Sequence, residues 1–144
     1  MLRENKSNYL LEIKDLEIAY KSKGILNRQK SPPVVSNISF KLPKGQTVAL
    51  IGESGSGKTS IARTIAGLMV ARKGHVIFDQ EDINVPFEER PKHLIRQIQY
   101  IFQNPQYSLN PKRNIKYSLG RPLDIFFNFS NKEKNKRLEQ LLNS

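Results

Sequence analysis

The sequence contains no cysteine, and it has no segment apolar enough for a membrane span or a signal peptide. The lack of cysteine excludes disulfides and thiolate metal sites, and no cluster of His, Asp or Glu has the spacing of metal ligands. No apolar run approaches the roughly 20 residues that a spanning helix needs, and the N-terminus is polar and charged. We therefore expect a protein of the reducing cytosol that reaches a membrane only through a partner or its surface.

Acidic residues are scarce beside basic ones. The chain has 144 residues, of which 24 are Lys or Arg and 13 are Asp or Glu, and its formal net charge is +11. This length fits one domain with a real hydrophobic core. The charge favours anionic partners such as nucleotides, nucleic acids or a lipid surface, but it does not choose among them.

The first third of the chain predicts strands. Apolar residues nearly alternate with polar ones over 10–20, with one slip at Asp15 that predicts a bulge or two short strands. A second strand is predicted over 34–42. The short apolar run over 47–51 lies between two glycines and is typical of a strand buried on both faces of a parallel sheet. An α/β fold is therefore indicated.

Helical and strand patterns then alternate. After a glycine-rich turn, apolar residues recur at helical spacing, and we expect that helix to end at Gly74. Further strands are predicted over 75–78 and 97–102, with a helical turn over 91–96 between them. A capping-box pattern predicts one more amphipathic helix from Asn131.

The glycine-rich turn carries a phosphate-binding motif. It satisfies the pattern G-x-x-x-x-G-K-[ST] with Gly52, Glu53, Ser54, Gly55, Ser56, Gly57, Lys58 and Thr59. Glycines let the backbone curl so that its N–H groups, with the positive end of the next helix, point at phosphate oxygens. Lys58 is placed to reach the β and γ phosphates, and Thr59 to offer a hydroxyl to Mg²⁺. We therefore expect a site for a Mg-nucleotide, and for ATP in particular.

Two rival interpretations of this region are weaker. A dinucleotide-binding turn needs G-x-G-x-x-G, but the frame that opens at Gly55 has Ser60 where the third glycine belongs. Asp79 follows an apolar run and resembles a Walker B magnesium ligand, but the run is short and Gln80 comes next. We predict that Asp79 is a strand-end residue before a turn.

Three motifs together resemble the nucleotide-binding cassette of ABC transporters. The adenine-stacking aromatic, the Walker A motif and the Q-loop of that family correspond to Tyr20, residues 52–59 and residues 101–105. Residues 108–112 and the insertion over 23–28 resemble the peptide-import branch, whose members carry dipeptides, oligopeptides or antimicrobial peptides. The hairpin after the Walker A motif also matches, with Gln80 in place of a usual glycine.

The resemblance implies an ABC-type P-loop NTPase fold, of which this chain holds the N-terminal part. We expect a partial nucleotide-binding domain over 1–144, with antiparallel strands and the start of the parallel core sheet in a nucleotide-binding core over 9–112. The start of the helical subdomain is expected over 113–144. The implied partners are ATP, Mg²⁺, transmembrane permease subunits and a second ATPase subunit, and the implied place is the cytoplasmic side of the inner membrane.

The resemblance also implies roles for single residues. Tyr20 is expected to stack on adenine, a contact worth roughly 1–3 kcal/mol, although a strand-end aromatic of the core remains an alternative. Gln103 is expected to position Mg²⁺ or the attacking water, with Lys58 as the other catalytic residue, although a solvated amide remains an alternative. The expected Mg²⁺ ligands are Thr59 and Gln103. The expected nucleotide-binding residues are Tyr20, Gly52, Glu53, Ser54, Gly55, Ser56, Gly57, Lys58, Thr59 and Ser60.

The family's signature motif, Walker B aspartate, catalytic glutamate and switch histidine do not occur in this sequence. Hydrolysis needs an oriented nucleophile and stabilisation of charge beyond the γ phosphate. We therefore expect the chain to bind ATP but barely hydrolyse it. In the family the missing part also flanks the strand over 47–51, so we expect unpaired apolar edges, marginal stability and a tendency to aggregate.

Two function classes besides the transporter subunit stay open. One is a nucleotide-binding remnant of a truncated gene with no transport activity. The other is a basic nucleic-acid-binding protein, which only the net charge supports, because the basic residues are scattered and no aromatic–basic interleaving resembles a known module. The transported solute is not determined by these residues.

Overall fold

A computed structural model describes residues 8–20, 31–104 and 108–143. The insertion over 23–28 and Pro105 lie outside the described residues. The chain divides into two compact units, Met1–Pro91 and Lys92–Ser144. Among these described residues, the first unit contains a four-stranded sheet and one α-helix, and the second contains three α-helices.

The first strand, β1 (Tyr9–Ile18), contains the predicted bulge. Its register against both neighbouring strands shifts after residue 14, and Asp15 has a φ of +46°. The Asp15 N–H donates to Ser39 Oγ at 2.9 Å. An added residue in one strand changes which side chains face the core. The slip therefore keeps apolar side chains buried on both sides of the bulge, namely Leu11, Ile13, Leu16 and Ile18.

The sheet is antiparallel throughout, in the order β2-β1-β3-β4, with β2 at Val35–Pro43, β3 at Lys73–Phe78 and β4 at Glu81–Asp82. The turn between β3 and β4 has positive φ at Asp79 (+43°) and Gln80 (+80°), as a type I′ hairpin turn requires. The Asp79 carboxylate accepts a hydrogen bond from Lys44 Nζ at 2.7 Å. The prediction that Asp79 is a strand-end residue before a turn is confirmed.

The first helix, α1 (Lys58–Ile65), is shorter than predicted. The expected end at Gly74 is wrong, since Gly74 lies inside β3. The chain leaves the helical conformation at Gly67, which has a φ of +78°. The last turn is closed there because the buried guanidinium of Arg90 donates to the carbonyl of Ile65 at 2.6 Å.

The two strands predicted over 47–51 and 97–102 are not formed. Ile51 is 94% exposed and Ile101 85% exposed, and neither stretch pairs with another strand in the described part of the chain. A β-strand exists only through hydrogen bonds to a neighbour, so an apolar run without such a neighbour stays irregular. Both predicted strand positions are corrected on this ground.

The second unit contains α2 (Lys92–Gln97), α3 (Ile115–Phe126) and α4 (Asn131–Leu142). The capping box that predicted α4 is confirmed: the Glu133 N–H donates to Ser130 Oγ at 3.4 Å, and the Ser130 N–H donates to Glu133 Oε2 at 2.8 Å. Helix α3 was not predicted. In the ranges that the structure describes, no helix combines the length and apolarity needed to cross a membrane.

Candidate functional site

The P-loop is a tight turn whose shape depends on glycine. Gly55 has a φ of +83° and Gly57 a φ of +93°, a region that other residues rarely adopt. A Cβ at Gly55 would meet open space, but a Cβ at Gly57 would overlap the side chain of Val35 and lie 3.1 Å from the carbonyl of Val34. Glycine is therefore required at position 57 for two reasons. Its backbone angle disfavours other residues, and Val34 and Val35 leave no space for a Cβ.

The loop leads directly into the positive end of α1. Gly57 is the N-cap, no side chain caps the helix, and its first turn contains no acidic residue. The first N–H groups of a helix have no partner within the helix, and the helix dipole gives this end a partial positive charge. An uncapped helix start behind a glycine loop fits an anion such as a phosphate.

The ammonium of Lys58 lies within the curl of this loop. Its Nζ donates to the carbonyls of Gly52 at 2.8 Å and Glu53 at 2.6 Å, and to Ser56 Oγ at 3.2 Å. An ammonium has three N–H donors, so the loop engages all of them. The lysine thus holds the loop around its own positive charge.

Tyr20 stands beside the start of α1. The residue is 51% exposed, and its hydroxyl lies 3.1 Å from Oγ of Ser60, which is buried. Tyr20 and the P-loop share an open cavity of about 310 Å³. The cavity is lined by Tyr20, Val34, Gly55, Gly57, Lys58, Thr59 and Ser60. The structure therefore brings the predicted aromatic and the predicted phosphate residues together.

The other predicted site residues are not among those that line this cavity. Glu53, Ser54 and Ser56 are exposed, and Gly52, which precedes them, is exposed as well. Gln103 is exposed in a stretch of the second unit that is neither helix nor strand. In the described part of the chain, no group of three or more His, Cys, Asp or Glu side chains could hold a metal ion.

Sequence reasoning missed three residues that shape the site. Val34 lines the cavity, Val35 contacts Gly57, and Arg90 closes the far end of α1. Nothing in the pattern around Arg90 signals its role, because the α1 carbonyls that it contacts are 25 and 26 residues away in sequence. Val35 follows a proline-rich connection and reads only as the start of a strand.

Comparison with known families decides the lineage. The sequence profile of the ABC transporter family matches residues 35–144, which include the P-loop and every element after it. The chain belongs to the ABC transporter family. The resemblance drawn from the three motifs is thereby confirmed.

Two bacterial members of the ABC family illustrate the similarity. The oligopeptide transport ATP-binding protein AmiF of Streptococcus pneumoniae serotype 4 is 42% identical over 135 residues, covering 93% of this chain and 42% of that protein. The oligopeptide transport ATP-binding protein OppF of Streptococcus pyogenes serotype M1 is 40% identical over 131 residues, covering 90% of this chain and 41% of that protein. The chain thus spans less than half the length of these relatives. The matches give no support to the remnant or nucleic-acid alternatives.

Solved ABC structures share the fold. A dimeric post-hydrolysis state of the ATP-binding cassette MJ0796 bound to ADP and Pi superposes with a TM-score of 0.68 at 22% identity, covering 92% of this chain and 56% of that one. The ATP-binding subunit of an ABC transporter gives a TM-score of 0.66 at 28% identity, covering 93% of this chain and 49% of that one. The predicted α/β, ABC-type P-loop NTPase fold class is confirmed.

Proposed function

We propose that this chain is the nucleotide-binding part of an ATP-binding subunit that energises an ABC importer of peptides. The observation that carries the proposal is the P-loop, in which the uncapped start of α1 and the ammonium of Lys58 are both directed to one small loop. The names of AmiF and OppF, which are oligopeptide transport ATP-binding proteins, support the peptide class.

Phosphates are held by this chain's backbone and by Lys58. The N–H groups at the start of α1 donate to phosphate oxygens, and Lys58 exchanges one of its contacts with the loop carbonyls for a β or γ phosphate oxygen. The carbonyls of Gly52 and Glu53 keep the ammonium in place before that exchange. Only a small movement of the lysine is then needed, so the site is preorganised.

Mg²⁺ and the base are assigned to neighbouring residues. The exposed Thr59 lines the cavity beside Lys58, and its hydroxyl would be a ligand for Mg²⁺. That Gln103 is a further Mg²⁺ ligand stays a prediction from the sequence. When bound, the ion offsets the charge of the phosphates. The half-exposed ring of Tyr20 provides a flat apolar surface for adenine.

The wider assembly is inferred from the family. The nucleotide-binding core is assigned to 9–112 and the start of the helical subdomain to 113–144. Gln103 contacts transmembrane permease subunits, and a second ATPase subunit completes the assembly at the cytoplasmic side of the inner membrane. Because the sequence lacks the family's catalytic glutamate and signature motif, we expect binding with little turnover.

The direct test is MgATP binding by the chain and by two lysine variants. Lys58→Ala removes a charge-assisted contact worth about 1.5–3 kcal/mol, so its affinity is expected to fall at least about tenfold. The matched control is Lys73→Ala, whose side chain is 70% exposed and which lies outside the cavity. That control is expected to bind as the unchanged chain does.

The possible results separate cleanly. Weakened MgATP binding in Lys58→Ala, with normal binding in Lys73→Ala, supports the site. Hydrolysis at the same low rate in the unchanged chain and in Lys58→Ala supports binding without turnover. Equal binding by all three proteins places the nucleotide elsewhere. No binding by a folded, unchanged chain overturns the proposal.

The transport partner needs a separate experiment. Zwitterionic phosphatidylcholine liposomes that contain an oligopeptide permease are expected to sediment the chain, whereas empty ones are not. Zwitterionic lipid is chosen because a net charge of +11 would bind an anionic surface without specificity. Gln103→Ala is expected to lower recovery on the permease liposomes. Equal recovery with and without permease would argue against the importer role.

A further inference from the structure

One hydrogen bond joins two parts of the candidate site that are far apart in sequence. The hydroxyl of Tyr20 lies 3.1 Å from Ser60 Oγ, across a separation of 40 residues. Tyr20 follows the end of β1, and Ser60 is in the first turn of α1. The bond therefore links the sheet's aromatic to the helix whose N-terminus forms the phosphate site.

The two partners differ in how firmly they are held. Ser60 is 5% exposed and its carbonyl accepts a hydrogen bond from Thr64 Oγ at 2.9 Å, so it is fixed within α1. The Tyr20 ring is half exposed. Since the buried serine is the fixed partner, its hydroxyl limits how the exposed ring can turn.

The position of the ring matters because it borders two cavities. On one side is the 310 Å³ cavity of the P-loop. On the other is an open, mostly apolar cavity of about 470 Å³ that is lined by Leu68, Met69 and Phe87 among others. An untethered ring can lean toward either cavity, and only a ring held at the P-loop side presents its face at the phosphate end.

We propose that Ser60 is a positioning residue whose hydroxyl holds the Tyr20 ring at the edge of the P-loop cavity. The ring that stacks on adenine then stays aligned with the P-loop that binds the phosphates. This inference rests on the proposed nucleotide binding at the same site. It assigns the Ser60 hydroxyl to Tyr20, whereas the sequence analysis placed Ser60 only among the expected nucleotide-binding residues. Loss of the Ser60 hydroxyl is then expected to weaken the contact with the base and not the contacts with the phosphates.

The test is a double-mutant cycle read with two probes. Tyr20→Phe, Ser60→Ala and the double variant are titrated with MgATP and with Mg-tripolyphosphate, which has the phosphates but no base. A neutral hydrogen bond contributes about 1 kcal/mol, so each single variant is expected to bind MgATP about fivefold more weakly. The double variant is expected to be no weaker than either single one, since both remove the same bond. Tripolyphosphate binding is expected to be equal in Tyr20→Phe and the unchanged chain.

Two further variants guard against loss of folding. Ser60→Thr keeps the hydroxyl, so it is expected to keep the preference for ATP over tripolyphosphate that Ser60→Ala loses. Ser39→Ala removes a hydroxyl from the same unit outside either cavity and controls for general loosening. Because Tyr20 is half exposed, Tyr20→Phe is expected to fold even if Ser60→Ala does not, and it tests the bond alone.

The outcomes distinguish this inference from the proposed function. Additive losses in the cycle, or an equal loss of both probes in Ser60→Ala, would mean that the serine acts on the phosphates, and the inference would be wrong while nucleotide binding stands. MgATP binding unchanged in Tyr20→Phe would also overturn it. No MgATP binding by the unchanged, folded chain would overturn the proposed function and this inference together.

Discussion

Arg90 Nη1 donates to the carbonyl of Ile65 at 2.6 Å and so caps the C-terminal turn of the P-loop helix α1. The same guanidinium donates to the carbonyls of Thr64 at 3.2 Å and Ile83 at 2.6 Å. Arg90 is only 5% exposed, and burial lowers the pKa of its guanidinium. One side chain therefore fixes the phosphate helix to the segment that follows the β3–β4 hairpin.

Replacing Arg90 by methionine is expected to destabilise the first unit strongly. The change keeps much of the apolar stem but leaves several buried carbonyls without a donor, and a hydrogen bond to a charged group contributes about 1.5–3 kcal/mol. We expect the free energy of unfolding to fall by about 3 kcal/mol or more in urea titration. The control is Arg63→Met on the exposed side of α1, where a loss below about 1 kcal/mol is expected. Equal losses in the two variants would show that Arg90 does not fix α1 to the segment that follows the β3–β4 hairpin.

The two inner glycines of the P-loop are expected to respond differently to alanine. Gly55→Ala introduces backbone strain of about 1–3 kcal/mol at a φ of +83° but no clash. Gly57→Ala adds an overlap with the side chain of Val35 to the same strain. We therefore expect Gly57→Ala to lower the melting temperature and MgATP affinity more than Gly55→Ala does.

A second change isolates the clash at Gly57. Val35→Ala removes the Cγ2 methyl group that overlaps the added Cβ, so it is expected to restore part of the MgATP affinity in the Gly57→Ala background. In the unchanged background, Val35→Ala should only destabilise, because Val35 is buried. If it fails to rescue Gly57→Ala, the backbone angle and the nearby carbonyl of Val34, which Val35→Ala leaves in place, account for the requirement for glycine.

Features encoded by a few neighbouring residues could be predicted from the sequence. The P-loop, the bulge at Asp15 and the capping box of Ser130 and Glu133 all depend on residue types within a short window. Asn114 gave a similar signal that went unused. Its side chain accepts a hydrogen bond from the Tyr117 N–H at 2.8 Å and starts α3, which the sequence analysis missed.

Features set by distant partners could not be predicted. The apolar run over 47–51 is typical of a buried strand, but whether a strand forms depends on a neighbour elsewhere in the chain. The end of α1 depends on Arg90, whose guanidinium comes from 25 residues beyond Ile65. The link between Tyr20 and Ser60 likewise spans two elements. The expected tendency of the chain to aggregate through its exposed residues near Ile51 stays a prediction.

The start of α4 is expected to weaken at low pH. Hydrogen bonds from the Ser130 side chain and backbone N–H hold the pKa of Glu133 below its usual value. A lowered pKa in the folded state means that the stabilisation is complete above the usual value and is lost as pH falls through the lowered one. We expect the helical signal of the chain, compared with that of Glu133→Gln, to lose its advantage as the pH falls through and below the usual glutamate pKa of 4.5.

The comparison with Glu133→Gln removes the effect of the other acidic groups, which titrate in both proteins. A further control is Glu139→Gln, an exposed position of the same helix without a cap. It is expected to lose helical signal with pH as the unchanged chain does. A constant difference between the unchanged chain and Glu133→Gln across this range would contradict the role of the capping carboxylate.

Gln80 occupies a backbone conformation that suits glycine. It has a φ of +80° in the hairpin turn between β3 and β4, and the resemblance to the ABC family places a glycine there. Holding a residue with a Cβ in this region costs roughly 1 kcal/mol or more. Gln80→Gly is therefore expected to raise the free energy of unfolding by about 1 kcal/mol, less the entropy that a glycine adds to the unfolded chain.

Asn37→Gly supplies the matched comparison. Asn37 also has a positive φ, +52°, but asparagine tolerates the left-handed region better than glutamine because its short side chain can bond locally. We expect a smaller gain there, or a loss, so that Gln80→Gly is the more stabilising of the two in thermal unfolding. If Asn37→Gly stabilised the chain as much as Gln80→Gly, the gain would not come from relieving glutamine's strain. If Gln80→Gly destabilised it, the added freedom of the unfolded chain would outweigh the strain in the turn.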